Sequence, residues 1–333
     1  MSKSLGNVVE PKTLIAKYGA DILRLWVCAL DYKDDTPISE EILARCAEAY
    51  RKVRNTARYA ISNLWDFDPA RDAISADDLL PFDRWVLTET AGVAARIREA
   101  YEAYEFHVVY HQLVNLCATT LSAFYLDVVK DRLYASAPAS RERRSAQTAL
   151  DAIGRVLATA LAPLCPFTAD EIWEALPGKK EESVHLARFE GLTKYSSIAP
   201  DAATAAAWDR LARLREEVSA VLEQARREKT IGSSLEAAVA LTGDPALDAD
   251  RAATATSGAG LADLFIVSEV VDEAETDVSQ GAWTESLVYP GLKIQFRKAG
   301  GTRCERCWKV TPEADATGLC DRCRRVLSEL ETA

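Results

Sequence analysis

From Ser39 onward, apolar side chains recur at three- and four-residue intervals for about 140 residues, which predicts a succession of helices that each bury one face. Ile42, Cys46, Ala49, Val53, Ala57, Ile61 and Leu64 mark the inner face of the first. Ser39 can cap its start, and Glu40 and Glu41 in the first turn suit the helix dipole. A second helix is expected over 82–104. A third, over 106–133, would point Phe106, Tyr110, Leu113, Cys117, Leu121, Phe124 and Val128 inward, and a fourth would span 140–162. Thr168-Ala-Asp-Glu171 reads as a capping box opening a fifth helix, closed by Pro177-Gly178. Upstream, Ile22, Leu25, Trp26 and Leu30 suit a short helix. Short connections between helices of this length imply an antiparallel bundle.

After residue 198 the pattern changes. A long helix is expected over 203–229, ending near Gly232, and the stretches 237–241, 264–271 and 292–296 read as strands between Asp-, Gly- and Pro-rich turns. Gly300-Gly301 reads as a hinge to a cysteine-rich end. The expected fold class is mainly α: an antiparallel helical bundle, then a small α+β junction and a four-cysteine zinc finger. The expected divisions are 1–35, 36–197, 198–299 and 300–333.

The composition is that of a globular protein, with 48% hydrophobic and 27% charged residues. No uninterrupted apolar run approaches the ~18 residues of a membrane span. No charged head followed by an apolar block opens the chain, so a cytoplasmic setting without membrane is expected. A net charge of −11 argues against a general nucleic-acid coat. The charge is uneven, however: residues 244–285 hold ten acids and one base, whereas 293–325 hold nine bases and four acids. Over a screening length of roughly 8 Å a phosphate responds to the local patch.

Cys304-x2-Cys307 and Cys320-x2-Cys323 have the spacing of two knuckles that place four thiolates around one tetrahedral ion with every position filled by protein. The expectation is one structural Zn2+; disulfides or a redox pair are the competing readings. Arg303, Arg306, Lys309, Arg322, Arg324 and Arg325 surround the knuckles, and Trp308 either stacks on a base or closes a miniature core. Cys28, Cys46, Cys117 and Cys165 sit singly in apolar helical contexts and are expected in the core. Arg51, Arg54, Asn55 and Arg58 share the outer face of the first bundle helix, either as a solvated surface or as a stripe that meets phosphates and bases. Lys130-Asp-Arg-Leu-Tyr134 with Arg141, Arg143 and Arg144 would add positive charge or exposed surface. His107 and His111 lie four apart without a third ligand, so a structural role is expected.

Four stretches resemble the bacterial-type isoleucyl-tRNA synthetases, members of class I of the aminoacyl-tRNA synthetases. They are Ser2-Lys-Ser-Leu-Gly-Asn-Val-Val-Glu-Pro11; Lys17-Tyr-Gly-Ala-Asp-Ile-Leu-Arg-Leu-Trp26 with Tyr50-Arg-Lys-Val-Arg-Asn-Thr-Ala-Arg58; Lys130-Asp-Arg-Leu-Tyr134 with Arg143-Arg-Ser-Ala-Gln147; and the terminal cysteine quartet. The first is shared with valyl and leucyl enzymes, so the quartet is the discriminating one. The resemblance implies that Lys3 is the second lysine of the Lys-Met-Ser-Lys-Ser loop. There it would assist ATP, used with Mg2+, while Ser2 and Ser4 donate hydrogen bonds. It also implies an anticodon-binding bundle and a zinc-bearing tail that hold isoleucine-accepting tRNA, through Arg51, Arg54, Asn55, Arg58, Arg306, Trp308 and Lys309. The loop's first lysine, the His-Ile-Gly-His signature and an editing domain are not in the chain. Amino-terminal catalytic and editing domains are therefore expected partners, and this chain alone, a monomer, is expected to be inactive in isoleucine activation. The alternative is a stand-alone zinc-finger nucleic-acid-binding protein.

Overall fold

The Ser39 hydroxyl accepts from the amide of Ile42 and starts a helix of 23 residues, as the sequence predicts. The arrangement is drawn from a computed structural model describing residues 4, 9–33, 35, 37–192, 195, 199–254, 260–273, 282–312 and 317–332. Ser2 and Lys3 lie outside the described residues, and Ser4 is exposed. In chain order the elements begin with α1 (Pro11–Tyr18), α2 (Ala20–Cys28), α3 (Glu40–Ser62), α4 (Pro69–Asp72), α5 (Pro81–Glu102) and α6 (Phe106–Asn115). A π-helical stretch, Leu116–Tyr125, leads into α7 (Leu126–Val128), α8 (Lys130–Ala135), α9 (Arg141–Leu161), α10 (Pro166–Ala175) and α11 (Ala202–Arg227). Then come β1 (Ala237–Thr242), α12 (Pro245–Thr254), α13 (Leu261–Phe265), β2 (Glu269–Glu273), β3 (Thr284–Glu285), β4 (Lys293–Lys298), β5 (Thr302–Arg303), β6 (Val310–Thr311) and α14 (Asp321–Thr332). The fold is mainly helical with a small sheet region. It divides into two compact units: residues 1–76, 86–125 and 147–198; and residues 77–85, 126–146 and 199–333.

In the first unit α3 buries Leu43, Cys46, Ala49, Val53, Ala57 and Ala60. Ile42 and Ile61, expected inside, are half-buried, because Leu43 and Ala60 take the deeper positions. Each large aliphatic side chain so buried contributes about 1.5–3 kcal/mol. The expected third helix exists but widens at Leu116–Tyr125, which a strict 3.6-residue period does not anticipate. Beside the widened turn, the Thr56 hydroxyl lies 3.3 Å from the Cys117 carbonyl and 2.8 Å from Ser122 Oγ. By length and average apolarity alone the stretch Phe106–Ala135 could cross a membrane, although isolated polar residues keep it from being an uninterrupted apolar run. Val109, Leu113, Leu116, Leu121, Tyr125 and Val129 are nevertheless buried inside the protein.

The capping box at Thr168 is a further correction. Helix α10 begins two residues earlier, at Pro166, whose missing N–H suits the first helical position. Thr168 then needs an external acceptor, and the Asp21 carboxylate of α2 supplies it, taking the Thr168 amide at 2.8 Å and hydroxyl at 2.6 Å. The helix ends at Ala175 with Leu176 as its cap, just before the expected Pro177-Gly178, where Gly178 sits at φ +82°.

The second unit is organised around β1, whose six residues are all buried. The sheet order is β2-β1-β4-β3, with β1 parallel to β2 and antiparallel to β4. A parallel neighbour needs a crossover, and α12 and α13 provide it. The run 264–271, expected as one strand, is divided. Phe265 closes α13, Ile266 caps it in the left-handed conformation at φ +57°, and β2 starts at Glu269. Helix α11 packs against α12, α13 and β4 and buries a stripe that includes Leu211, Leu214, Val218 and Leu222, and Trp208 joins Phe82 and Trp85 in an aromatic cluster.

Charge is taken inside this unit in matched sets. Arg132, 7% exposed, makes two bonds of 3.0 and 2.9 Å to the fully buried Asp83, which also accepts from Ser145. Removing one partner of such a pair costs about 3–5 kcal/mol. Arg143, also 7% exposed, donates to the carbonyls of Leu133 and Pro138. Arg132 and Arg143 are thus buried and structural, rather than the outward charge or exposed surface the sequence suggested.

Asp250 is a third such centre, held by Arg210 at 2.7 and 2.6 Å and by the Tyr289 hydroxyl at 2.7 Å. Burial alone would raise its carboxyl, but Arg210 and Tyr289 outweigh that and hold it below 3.8. Its contribution is therefore complete above the unfolded carboxylate value and is lost as pH falls through the lowered folded value. Asp250→Asn is expected to cost about 1–3 kcal/mol at pH 7. In thermal unfolding, the gap between wild type and variant should narrow at about pH 3; an equal gap at both pH values would contradict this assignment.

Candidate metal centre and nucleic-acid interface

The cysteine end is built on the two-stranded ribbon of β5 and β6, registered Thr302 to Thr311 and Arg303 to Val310. Between the strands the chain turns tightly. The Cys304 amide donates to the Lys309 carbonyl and the Trp308 amide to the Cys304 carbonyl, both at 2.9 Å. The turn holds Trp308 at φ +66°, a conformation unfavourable for a bulky side chain. The return stretch is anchored by the Glu305 amide on the Gly318 carbonyl, with Gly318 at φ +74°. Cys320 then precedes α14, and Cys323 lies in its first turn.

The four sulfurs come together as the spacing predicts, all within 4.8 Å of one another. Metal–sulfur bonds of about 2.3 Å in a tetrahedron require sulfurs about 3.8 Å apart. Cys307 and Cys320 are 3.8 Å apart, and none of the eight cysteines is in a disulfide. The donor set therefore fits a four-coordinate thiolate-binding ion. Burial opposes ionisation of Cys304, but the amides of Cys307, Cys320 and Arg306 point at its sulfur and bring its pKa below the ordinary thiol value. One of these contacts, Cys320 N to Cys304 Sγ, is 3.4 Å. Burial and the neighbouring cysteines push Cys307 and Cys320 the other way. Repulsion of this kind among gathered thiols is what a bound cation relieves.

Among the described residues no other group of three His, Cys, Asp or Glu side chains converges. His107 is half-buried, and exposed His111 packs edge-on against Tyr110 at 5.0 Å. Cys46, Cys117 and Cys165 are buried, and burial pushes the Cys117 thiol up to about 12; Cys28 is half-buried.

The helix stripe expected to face RNA is exposed throughout: Arg51, Arg54, Asn55 and Arg58 all reach solvent. Arg51 pairs with Glu48 at 2.5 Å, and Arg54 spans both oxygens of Glu171 at 2.9 and 3.0 Å. Exposed pairs of this kind are worth about 1 kcal/mol or less, so a phosphate can replace the carboxylate. Asn55 and Arg58 have no hydrogen-bond or ion-pair partner among the described residues.

On the knuckles, Trp308 is 57% exposed, with the Arg303 guanidinium 5.3 Å from its ring centre, so it does not close a miniature core. It lines a cavity of about 400 Å³ with Val128, Tyr134, Leu235 and Ile266. Arg306 and Lys309, expected to meet RNA, turn inward: Arg306 to the Ala135 carbonyl and Cys323 Sγ, Lys309 to Asp263. The sequence reading missed Asp131, on which Arg322 closes a bidentate pair 2.8 Å long on one limb. Nothing local marks it, because the partners are 191 residues apart.

Residues 83–241 match the family described as the anticodon-binding domain of tRNA ligase, and residues 1–39 match tRNA synthetases class I (I, L, M and V). The isoleucine–tRNA ligase of Syntrophotalea carbinolica is 47% identical over 333 residues, covering 99% of this chain and 35% of the relative. That of Symbiobacterium thermophilum is 45% identical over 335 residues, with 99% and 35% covered. The Geobacter sulfurreducens enzyme is 43% identical over 327 residues, with 97% and 34% covered. The chain thus spans 35% of the length of the first two curated relatives and 34% of the third. Among solved structures, the LeuRS–tRNA–LeuAMS ternary complex of Agrobacterium radiobacter K84 aligns with a TM-score of 0.44 at 17% identity, covering 58% of this chain and 22% of that one. That likeness is too slight to bear on function.

Over residues 1–39 the chain is thus similar to the class I aminoacyl-tRNA synthetases, and over residues 83–241 to their anticodon-binding domain. Within that class its relatives are the isoleucine–tRNA ligases, as the four resembling stretches implied.

Gly301 is the geometric key to the ribbon. It sits at φ +124°, and a Cβ there would lie 2.2 Å from the Thr311 carbonyl oxygen. It makes a close backbone approach where the sequence suggested a hinge. Gly301→Ala is expected to destabilise the ribbon by about 2 kcal/mol or more. Amide exchange across Thr302–Arg303 and Val310–Thr311 should accelerate at least about tenfold; unchanged exchange would refute the assignment.

Proposed function

We propose that this chain is the tRNA-reading and metal-bearing portion of an isoleucine–tRNA ligase, holding isoleucine-accepting tRNA while ATP-dependent attachment of isoleucine is performed by the complete enzyme. The observation that carries the reading is the alignment of 99% of the chain with isoleucine–tRNA ligases at 47% identity. The match of residues 83–241 to an anticodon-binding domain supports tRNA as the partner.

The exposed arginines of α3 supply planar forks for phosphate oxygens, and Asn55 beside them can reach a base edge or a 2′-hydroxyl. Trp308, exposed and backed by Arg303, is suited to stack on an unpaired base. Arg306 and Lys309 are left out of the contact set, since their donors face Ala135 and Asp263. The ion held by Cys304, Cys307, Cys320 and Cys323 is Zn2+. With no open position it is structural, offsetting half the charge of the gathered thiolates and pinning the ribbon to α14. In the complete ligase, Lys3 with Ser2 and Ser4 would meet ATP and its Mg2+.

Binding dominated by phosphates weakens steeply with salt. The chain is expected to prefer isoleucine-accepting tRNA over other tRNAs in fluorescence anisotropy titrations, and to contain one Zn2+ per molecule by elemental analysis. Arg58→Ala should reduce affinity severalfold and lower the log–log salt slope by about 1. Equal affinity for all tRNAs would point instead to a general nucleic-acid-binding protein, and no binding at about 50 mM salt would end the proposal.

A further inference from the structure

The thiolate cluster faces α8 through two guanidiniums. Arg306 Nη1 donates to the Ala135 carbonyl at 2.5 Å and reaches Cys323 Sγ at 3.6 Å. Arg322 holds Asp131 with both limbs, and Cys307 is near enough to act electrostatically on the same guanidinium. Each arginine therefore faces one cysteine of the knuckles, Arg306 by a hydrogen bond and Arg322 through its charge, and one acceptor on the Lys130–Ala135 helix. The two sulfurs belong to different Cys-x2-Cys pairs, and the two acceptors stand at opposite ends of one short helix.

We propose that Arg306 and Arg322 are positioning residues that join the metal centre to α8, so that loading the metal and seating that helix are a single event. Guanidinium N–H groups directed at metal-bound thiolates offset the charge of −2 that Zn2+ leaves on four sulfurs. Asp131 and the Ala135 carbonyl keep those groups aimed. Without the ion the sulfurs give up their shared centre, the arginines lose one of their two anchors, and α8 is freed along with them. Exposed Tyr134 lies on the same helix and shares the cavity lined by Trp308, so the aromatic face offered to RNA would depend on metal through this linkage.

The inference rests on the proposed metal binding, and one experiment separates the two. Zn2+ affinity of the whole chain is measured by competition with a chromophoric chelator, together with amide exchange at 130–135 with and without metal. Asp131→Asn is expected to weaken Zn2+ binding at least about tenfold, although Asp131 is not a ligand. Asp321→Asn, which removes an exposed pair with Arg324 beside Cys320, should stay within about twofold. In an Arg322→Gln background, Asp131→Asn should add nothing further. Chelation of the wild-type chain, which needs no variant, should speed exchange at 130–135 at least about tenfold. Zn2+ affinity of Asp131→Asn within twofold of wild type, additive losses in the double variant, or exchange at 130–135 indifferent to metal would each overturn the linkage. A wild-type chain that binds no Zn2+ at all would overturn the metal assignment itself.

Discussion

The second unit depends on the ion pair between Asp83 and Arg132. A carboxylate with no solvent exposure is tolerable only when its lone pairs are met, and the two limbs of Arg132 with the Ser145 hydroxyl meet them. Arg132 anchors α8 at one residue and orients it, but leaves its two ends to be tied by other partners. Asp131 is presented to Arg322, and the carbonyls of Leu133 and Ala135 are presented to Arg143 and Arg306. A helix of six residues has little stability of its own. It is held by guanidiniums from three separate stretches of chain.

That dependence explains how basic residues divide in this acidic protein. Some arginines complete a buried lattice and make no outward field, as at 132 and 143. Others, such as those on α3 and Arg303 over Trp308, keep their charge in water, where it can act on a polyanion. A count of positive charge along the chain mixes the two kinds. Their separation by burial, rather than the net charge of −11, bears on the proposed RNA binding.

The features legible in the sequence are those decided over a few residues. Ser39 announces its cap, helical spacing places Cys46, Val53 and Ala57 inside, and two Cys-x2-Cys pairs gather as their spacing demands. The illegible ones are decided by partners far along the chain. Thr168 reads as a cap because its neighbours suit one, yet the acceptor it needs is Asp21, 147 residues away. The Leu264–Phe265–Ile266–Val267 run has strand composition, but its burial is shared between the end of α13 and a left-handed Ile266. The π stretch was hidden for a related reason, since residues four apart face the same way in both helix types. At the candidate metal centre the four cysteines were evident and their supports were not: Asp131, Arg322 and the Ala135 carbonyl meet only once the chain is folded.

With β1 enclosed by β2 and β4, the longer margin of the sheet is β2, whose outer side has no strand partner among the described residues. Exposed Glu269 and Asp272 stand on that margin, with Arg251 bracing Asp272 from α12. A second copy approaching edge to edge would bring like charges together along an antiparallel or parallel seam. The acidic bias of residues 244–285 thus discourages self-association at the place where a small open sheet is most prone to recruit a foreign strand.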